Sequence, residues 1–548
     1  MYNNKSSVPA PQLSGKVETF NRRTIQGWIK SDDAKFRRVI LKVNDKPVAA
    51  SVASRDLAKE DSGTIREFRF PTKDIWKFLS RGDIVTVETD GVNLPIAGKG
   101  KTYIWSRDRA GELSADDLTR MIDEGFIFDK RGRLQLSKRR DLDWQSKVIK
   151  LYGELNEIFR AEWGYTLFPA YGSMLGAIRE QSFIGHDDDF DCGYISDRSD
   201  SEDVRQELIS IAHRLVDLGF NITLRRTCIH VRRRGDKLRV DIFHFYFSDA
   251  GELQFPFGYA GATPYERGDF TGWSEASLAG RMVFVPANPE RFLAHTYGPN
   301  WRTPDPGFSW AKDRKGAAKE ANFSELERSD LFWYNYYTSA PSAVPSELAQ
   351  HLTASSARRP VIVDLGCGAG ADLLWYAEKG AKHVIGVDRS AAAVALASRR
   401  LREWQSARAV RADVTVSGRI HDSIPAQFEL EEKLFVSRLL LNAVDSGARA
   451  KLILEVRRAA RAGDILVLEY LSDTAPRPRK SQRHRYRQLI NRTALEDELK
   501  SLGFDIVEDV LPDGEEHRQR TVARASSNKI SDALAVLPQG GARVIFGA

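Results

Sequence analysis

The chain has 548 residues, of which 42% are hydrophobic and 29% charged, with a formal net charge of +7. That is the composition of an ordinary globular protein of about three or four domains. The longest apolar runs are strand-length, too short to span a membrane, and three cysteines (Cys192, Cys228, Cys367) cannot build a disulfide framework.

The opening MYNNKSSVPAPQ has no basic region followed by an apolar one, so no signal peptide is expected and residues 1–12 read as a disordered tail. A cytoplasmic location is the expectation, with peripheral attachment at the inner face of the cytoplasmic membrane as an alternative. The positive charge is concentrated in LRRTCIHVRRRGDKLR (Leu224 to Arg239) and RPRKSQRHRYR (Arg477 to Arg487). These read either as solvated faces or as contacts for an acidic, phosphorylated substrate. Few aromatics interleave the first cluster, so no nucleic-acid partner is expected.

Residues 13–101 alternate apolar and polar positions in short runs (TIQGWIKS, RRVILKVND, REFRFPT, DIVTVETDG) separated by Gly, Asn and Asp, which predicts a small β-sandwich. The stretch GKVETFNRRTIQGWIKS…VILKVNDKPVAA resembles an accessory β-domain attached to bacterial polysaccharide-modifying transferases, which implies scaffolding, docking or glycan binding. An α+β segment over 116–320 opens with a helix over RDLDWQSKVIKLYGELNEIFRAEW, whose Trp144, Val148, Leu151, Leu155 and Phe159 share a face. A strand then leads into AYGSMLGAIRE, where Gly172 and Ser173 open a short helix.

FIGHDDDFDCG follows, with four carboxylates between Asp187 and Asp191 beside Phe183, Ile184 and Phe190. Like charges repel and buried carboxylates need a partner, so the run is either a solvated turn or a seat for a divalent cation. On a strand, Asp189 and Asp191 would share a face, and a third carboxylate, Asp241, sits in the β-like KLRVDIFHFYF. A Gly-Ser turn, Asp-x-Asp and a later-strand Asp is the layout of a nucleotidyltransferase-like fold holding Mg²⁺ or Mn²⁺. No Cys-x₂-Cys or His-x₃-His spacing supports zinc, so Cys192 and Cys228 read as small core residues.

YGSMLGAIREQSFIGHDDDFDCGY, RVDIFHF and VFVPANPERFLAHTYGPNWRTPDP together resemble the LicD/fukutin family of phosphotransferases, over roughly Leu142 to Lys315. Gly185 and His186 stand where that family has Pro-Trp before its acidic run. The resemblance implies transfer of a phospho-alcohol (phosphocholine, a polyol phosphate or a sugar phosphate) from a CDP-linked donor to a glycan or lipid-linked glycan hydroxyl. It implies metal on Asp189, Asp191 and Asp241, donor phosphates at Gly172 and Ser173, Arg179 against the pyrophosphate, and Asp188 as acceptor of the hydroxyl proton.

DLFWYNYYTSAPSAVPS (Asp330 to Ser346) reads as a linker, after which strands alternate with helices as in a parallel sheet, giving a C-terminal α/β Rossmann-like domain over 330–525 and a tail over 526–548. RRPVIVDLGCGAGADLLWYAEKGAKHVIGVDRS carries Asp364, then Gly366, Gly368 and Gly370, then Asp388 at the next strand end, and AVRADV adds Asp413. A glycine loop alone also fits a relaxed NAD pattern. Together these residues resemble the class I S-adenosylmethionine methyltransferases. The resemblance assigns Asp364 to the methionine moiety, Asp388 to the ribose, Asp413 to the adenine and the glycines to close backbone approach. Arg438, Asn442 and Glu469 are candidate acceptor contacts, and no Asn-Pro-Pro-Tyr signature of DNA-base methylation occurs.

The expectation is thus a multidomain enzyme modifying a surface polysaccharide or its precursor, phosphotransferase and methyltransferase in one chain. The alternatives are a nucleotidyltransferase acting on a small molecule, and a glycan-binding scaffold in which only the methyltransferase is active.

Overall fold

The computed structural model describes residues 14–527 apart from 33–35, 61–62, 109–111, 256–264, 305–321, 340–342, 357–359, 474–487 and 511–517. The basic run 477–487, the N-terminal tail, residues 528–548 of the C-terminal tail and the end of the Val283–Pro306 motif lie outside the described residues. The chain forms two compact units, 1–211 with 219–323, and 212–218 with 324–548. Among the described residues no helix is long and apolar enough to cross a membrane.

The first unit begins with two antiparallel sheets. One runs Ser14–Phe20, Thr24–Ser31, Gly63–Pro71, Arg55–Glu60; the other runs Lys46–Ala53, Arg37–Val43, Ile84–Thr89, Val92–Asn93. Alternation buries one face of each, and Ile25, Ile29, Val39, Leu41, Phe68, Phe70, Val85 and Val87 form one core. The Asn44-Asp45 turn between the strands of the second sheet has both φ angles positive (50° and 62°), the conformation of a two-residue type I′ hairpin.

A second hairpin, strands Phe126–Phe128 and Leu134–Leu136, is fastened to these sheets. Phe128 and Leu134 pack on their core. Asp74 N–H donates to Gly132 O (2.8 Å), and Leu134 N–H donates to Asp74 Oδ2 (3.1 Å). Gly132, at φ +73°, lies so close to the 71–73 backbone that a Cβ would stand 2.4 Å from Lys73 N, so only glycine fits.

The predicted helix spans Leu142–Trp163, capped by the Asp141 carboxylate on Trp144 N–H and closed by Gly164 in the left-handed region. Val148, Leu151, Leu155 and Phe159 are fully buried, as their spacing requires. The sheet that follows has the order Phe168–Pro169, Asp191–Ser196, Val240–Phe247, Ile229–Arg233, Phe220–Leu224. Its central pair is parallel, with Asp191 beside Asp241 and Cys192 beside Ile242.

The second unit opens with a correction. Residues 330–338 are not linker but the second half of a helix, Glu325–Thr338, started by a reciprocal Ser324/Glu327 capping box. Its aromatic side chains obscure the helical pattern because Leu331, fully buried, is the only large apolar residue it commits to the core. Beyond it lies a seven-stranded sheet in the order Ala407–Arg411, His383–Asp388, Val361–Leu365, Lys433–Arg438, Ile465–Leu471, Arg518–Ala525, Phe504–Val510. The first five are parallel and Arg518–Ala525 is antiparallel. The order reverses at Val361–Leu365, and the crevice outside the carboxyl ends at such a reversal is where open α/β sheets bind ligands.

Candidate functional site

The acidic residues of the first unit converge by two devices. Parallel register sets Asp191 beside Asp241, and the antiparallel neighbour adds His230 to the same row. Asp189 does not lie on the strand as its spacing suggested; it lies in the loop, two residues before the strand begins at Asp191. Phe190 is fully buried there and its carbonyl accepts from Asp241 N–H (2.9 Å), so the chain turns into the sheet one residue later. Asp189 nonetheless reaches the row: carboxylate oxygens of Asp189, Asp191 and Asp241 lie within 4.8 Å of one another, as do those of Asp187, Asp188 and Asp189.

The Gly-Ser turn supports this cluster. Ser173 Oγ accepts from Asp191 N–H (2.9 Å), tying the short helix Tyr171–Leu175 to the strand that carries Asp191. A Cβ on Gly172 would stand 2.2 Å from Asp187 Oδ2, so glycine there makes room for that carboxylate. Arg179 ion-pairs with Glu180 (2.8 Å) and donates to Trp301 O (3.1 Å), which joins the helix end to the late Tyr-Gly motif.

Cations surround the carboxylates: Lys130 and Arg133, which no motif marks, and Arg239 and His230 of the basic Leu224–Arg239 run. Lys130 Nζ, at the tip of the second hairpin, lies 3.6, 3.9 and 3.5 Å from Asp187, Asp188 and Asp189. Arg133, fixed by Asp129, reaches Asp188 (3.5 Å). Arg239 bonds Asp241 (3.0 Å) and approaches Asp189 (3.8 Å), and His230 Nε2 is 3.3 Å from Asp241. The Leu224–Arg239 run is therefore not wholly a solvated face, since two of its members line the acidic row.

Burial pushes the Asp191 carboxyl well above the usual range, with Asp189 and Asp241 adding to the effect. Burial and then Asp189 do the same to Asp187. Asp189 is held low despite burial, because the Asp187 proton and Lys130 both favour its ionised form. Asp241 is raised to about 7 by burial, against the pull of Arg239, and burial followed by Arg239 lowers His230 to about 3. So many carboxylates cannot all ionise without more positive charge, and three hard oxygen donors around one point suit Mg²⁺ or Mn²⁺.

Asp241 keeps its proton on folding up to about pH 7, whereas its ordinary value is 3.8. The stabilisation is present below the lower value and lost as pH rises through the higher one, on the order of 4 kcal/mol at most. Chemical denaturation in EDTA is expected to show lower stability at pH 8 than at pH 5, with the slope flattened by Mg²⁺. An unchanged slope would remove the cation from this site.

In the second unit the Val361–Leu365 strand ends in a loop whose Gly366, Gly368 and Gly370 all have positive φ (74°, 55° and 75°). Gly366 N–H and Cys367 N–H donate to Val387 O (2.7 and 3.2 Å), pinning the loop to the next strand. Asp388, the last residue of that strand, accepts from Gly368 N–H (3.0 Å) and Ser390 N–H (2.8 Å). Asp364 is buried and its carboxyl is raised well above the usual range by that burial, then by Asp372 and Asp388. Asp413 accepts from Thr415 and lies 3.6 Å from Arg389, which also pairs with Asp330 (2.7 Å). All six residues expected here thus gather at the carboxyl edge of the sheet.

The helix read as linker adds Tyr337, whose hydroxyl would be 2.6 Å from a Cβ on Gly368. Asn442 is not an acceptor contact. It is fully buried and clips the end of the Ile465–Leu471 strand, exchanging bonds with Leu471 (both 3.0 Å) and donating to Gln488 O.

Comparison with known proteins agrees with this division. Residues 164–288 match the model described as LicD/FKTN/FKRP, nucleotidyltransferase domain, and residues 362–463 match a methyltransferase domain model. No curated protein matches the chain. Among solved structures it is similar to a TehB-like SAM-dependent methyltransferase from Corynebacterium glutamicum, at 16% identity over 35% of this chain and 94% of that one (TM-score 0.26). The N-methyltransferase NodS from Bradyrhizobium japonicum, in complex with S-adenosyl-L-homocysteine, is similar at 20% identity over 32% of this chain and 84% of that one (TM-score 0.27).

Proposed function

We propose that this chain, an enzyme that joins a LicD-type nucleotidyltransferase domain to a methyltransferase domain, modifies a cell-surface polysaccharide or its precursor twice. The first domain transfers a phospho-alcohol from a CDP-linked donor to a glycan hydroxyl with Mg²⁺ or Mn²⁺. The second methylates from S-adenosylmethionine. Lipopolysaccharide and capsule are the polymer classes in view, and the enzyme works in the cytoplasm or peripherally at the inner face of its membrane. The N-terminal sheets act as a β-sandwich that braces the hairpin bearing Lys130.

The observation that carries the first activity is the convergence of Asp189, Asp191 and Asp241 from three places in the chain. These residues would hold the metal, which supplies charge neutralisation at the donor phosphates. The protein's own groups do the rest. Once the carboxylates are otherwise neutralised, Lys130 and Arg239 are placed to bind phosphate oxygens. The acceptor hydroxyl attacks phosphorus in line, the bond to the CMP oxygen breaks, and the hydroxyl proton passes to Asp188. That carboxylate is the most exposed of the group, at 31%, so acceptors can reach it. For the second activity Asp388 would take the ribose hydroxyls, Asp413 the adenine and Asp364 the methionine end.

The test is CMP release from CDP-glycerol, CDP-ribitol and CDP-choline with glycan acceptors and Mg²⁺. One donor is expected to yield CMP, and Lys130→Ala is expected to cost about 10- to 100-fold in kcat/KM, mostly through donor KM. Pyrophosphate release from a nucleoside triphosphate in place of CMP would make the domain a nucleotidyltransferase. Neither product would leave the methyltransferase as the sole activity.

A further inference from the structure

The sheet face that carries the acidic row continues past it to a basic edge that metal and donor binding do not use. Asp191 pairs with Asp241, Asp241 with His230 and His230 with Thr223, so the row runs from the centre of the sheet to its edge strand, Phe220–Leu224. Side chains two residues apart share a face, which sets Arg232 beside His230 and Arg225 beyond Thr223 on this same face. Arg225 N–H donates to Cys228 O (2.8 Å), continuing the strand pairing, and Arg232 Nη2 lies 3.5 Å from Thr223 Oγ1. The other face is closed, with Phe220, Ile222, Leu224, Ile229 and Val231 all buried. Thr223, His230 and Arg232 are only half-buried and Arg225 is exposed, so the basic face is open.

The arginines here are differently employed. Arg239 is taken by Asp241 (3.0 Å) and approaches Asp189 (3.8 Å). Among the described residues, Arg225 and Arg232 pair with no carboxylate. Arg232 Nε is moreover buried without a hydrogen-bond partner. An exposed arginine needs no partner, but this nitrogen has lost its water and gained nothing from the protein. A guanidinium fork with a hydroxyl alongside is a set of donors suited to phosphate oxygens.

Position selects which phosphate. Thr223 stands two strands from Asp241, about 10 Å at ordinary strand spacing. That is farther than the two phosphates of one diphosphate lie apart, so a donor held at the metal does not reach it. It matches the span of a sugar ring and its phosphate. We infer that the acceptor is itself phosphorylated: its phosphate docks on Arg232 and Thr223, with Arg225 at the rim, while its free hydroxyl lies over the acidic row. This rests on the phosphotransferase reading and narrows the acceptor to a phosphate ester, either a sugar phosphate or a glycan joined to a lipid through a diphosphate.

The experiment uses the full chain saturated with Mg²⁺ and CMP, so that the metal and donor positions are filled. N-acetylglucosamine, N-acetylglucosamine 1-phosphate and farnesyl diphospho-N-acetylglucosamine are titrated into it calorimetrically. The sugar phosphate is expected to bind at least about 10-fold more tightly than the free sugar. Arg232→Gln is expected to erase that preference and Arg232→Lys to keep part of it, with CMP affinity within about twofold of the parent in both. Arg225→Gln, at an exposed position where misfolding is not at issue, is expected to weaken sugar phosphate binding several-fold. Tighter binding of the lipid diphosphate than of the sugar phosphate names a lipid-linked acceptor; the reverse order names a free sugar phosphate. CMP binding with no preference for the phosphorylated sugar, or a preference that survives both Arg232→Gln and Arg225→Gln, overturns the inference and spares the phosphotransferase reading. No Mg²⁺-dependent CMP binding by the parent overturns both.

Discussion

Asp241→Asn is expected to lower phosphotransfer by roughly 1000-fold or more while leaving methylation unchanged. It is also expected not to destabilise the metal-free protein. The two halves of that result separate a metal site from a structural ion-pair network. Asp241 is buried between Asp191 and His230 in one sheet row, with Asp189 close by. If its carboxylate existed to pair with Arg239, removing the charge would strand a half-buried guanidinium and cost stability. If the cluster is poised for a cation, asparagine relieves repulsion among like charges. It also keeps an oxygen for the Arg239 Nε that now donates to Asp241 Oδ1 (3.0 Å). The measurements are CMP release and thermal melting with EDTA and with Mg²⁺. Wild type is expected to gain stability with Mg²⁺ and the variant to gain little. A variant that melts far below wild type in EDTA would make Asp241 a structural anion.

Much of this site could be read from residues alone, because its carboxylates sit close in sequence or on a strand whose apolar flanks announce it. Asp187, Asp188, Asp189 and Asp191 are local, and Asp241 is marked by Val240, Ile242 and Phe243 around it. The cations could not be read the same way. Lys130 lies 59 residues from Asp189 on a hairpin whose position depends on Gly132 meeting the 71–73 backbone, a contact with no local signature. Arg239 and His230 were hidden in a basic run, where period-two alternation says which side chains share a face but not what that face meets. Tyr337 was lost for a different reason. Its helix commits few apolar residues to a core, and aromatic residues followed by Pro and Ser look like a linker until the glycine loop is set beneath them.

Asp388→Ala is expected to give the mirror result: S-adenosylmethionine affinity lowered about 10- to 100-fold, methylation lost in proportion, and CMP release untouched. The carboxylate does two things that alanine cannot. It accepts from Gly368 N–H and Ser390 N–H, holding the glycine loop against the start of the next helix, and it ends its strand at the carboxyl edge of the sheet, two residues past the partner of Asp364. Asp388→Asn separates these contributions. The amide oxygen can keep one backbone bond, so the loop stays in place, but the charge proposed to meet the ribose hydroxyls is gone. Binding measured by calorimetry should therefore fall in the order wild type, Asn, Ala. If Asn binds as weakly as Ala, the charge matters and the loop bonds do not. If Asn binds like wild type, Asp388 works only as a clamp on Gly368, and the ribose contact must come from another residue of the rim. If CMP release falls with either variant, the two activities are not independent, and the assignment of one to each unit fails.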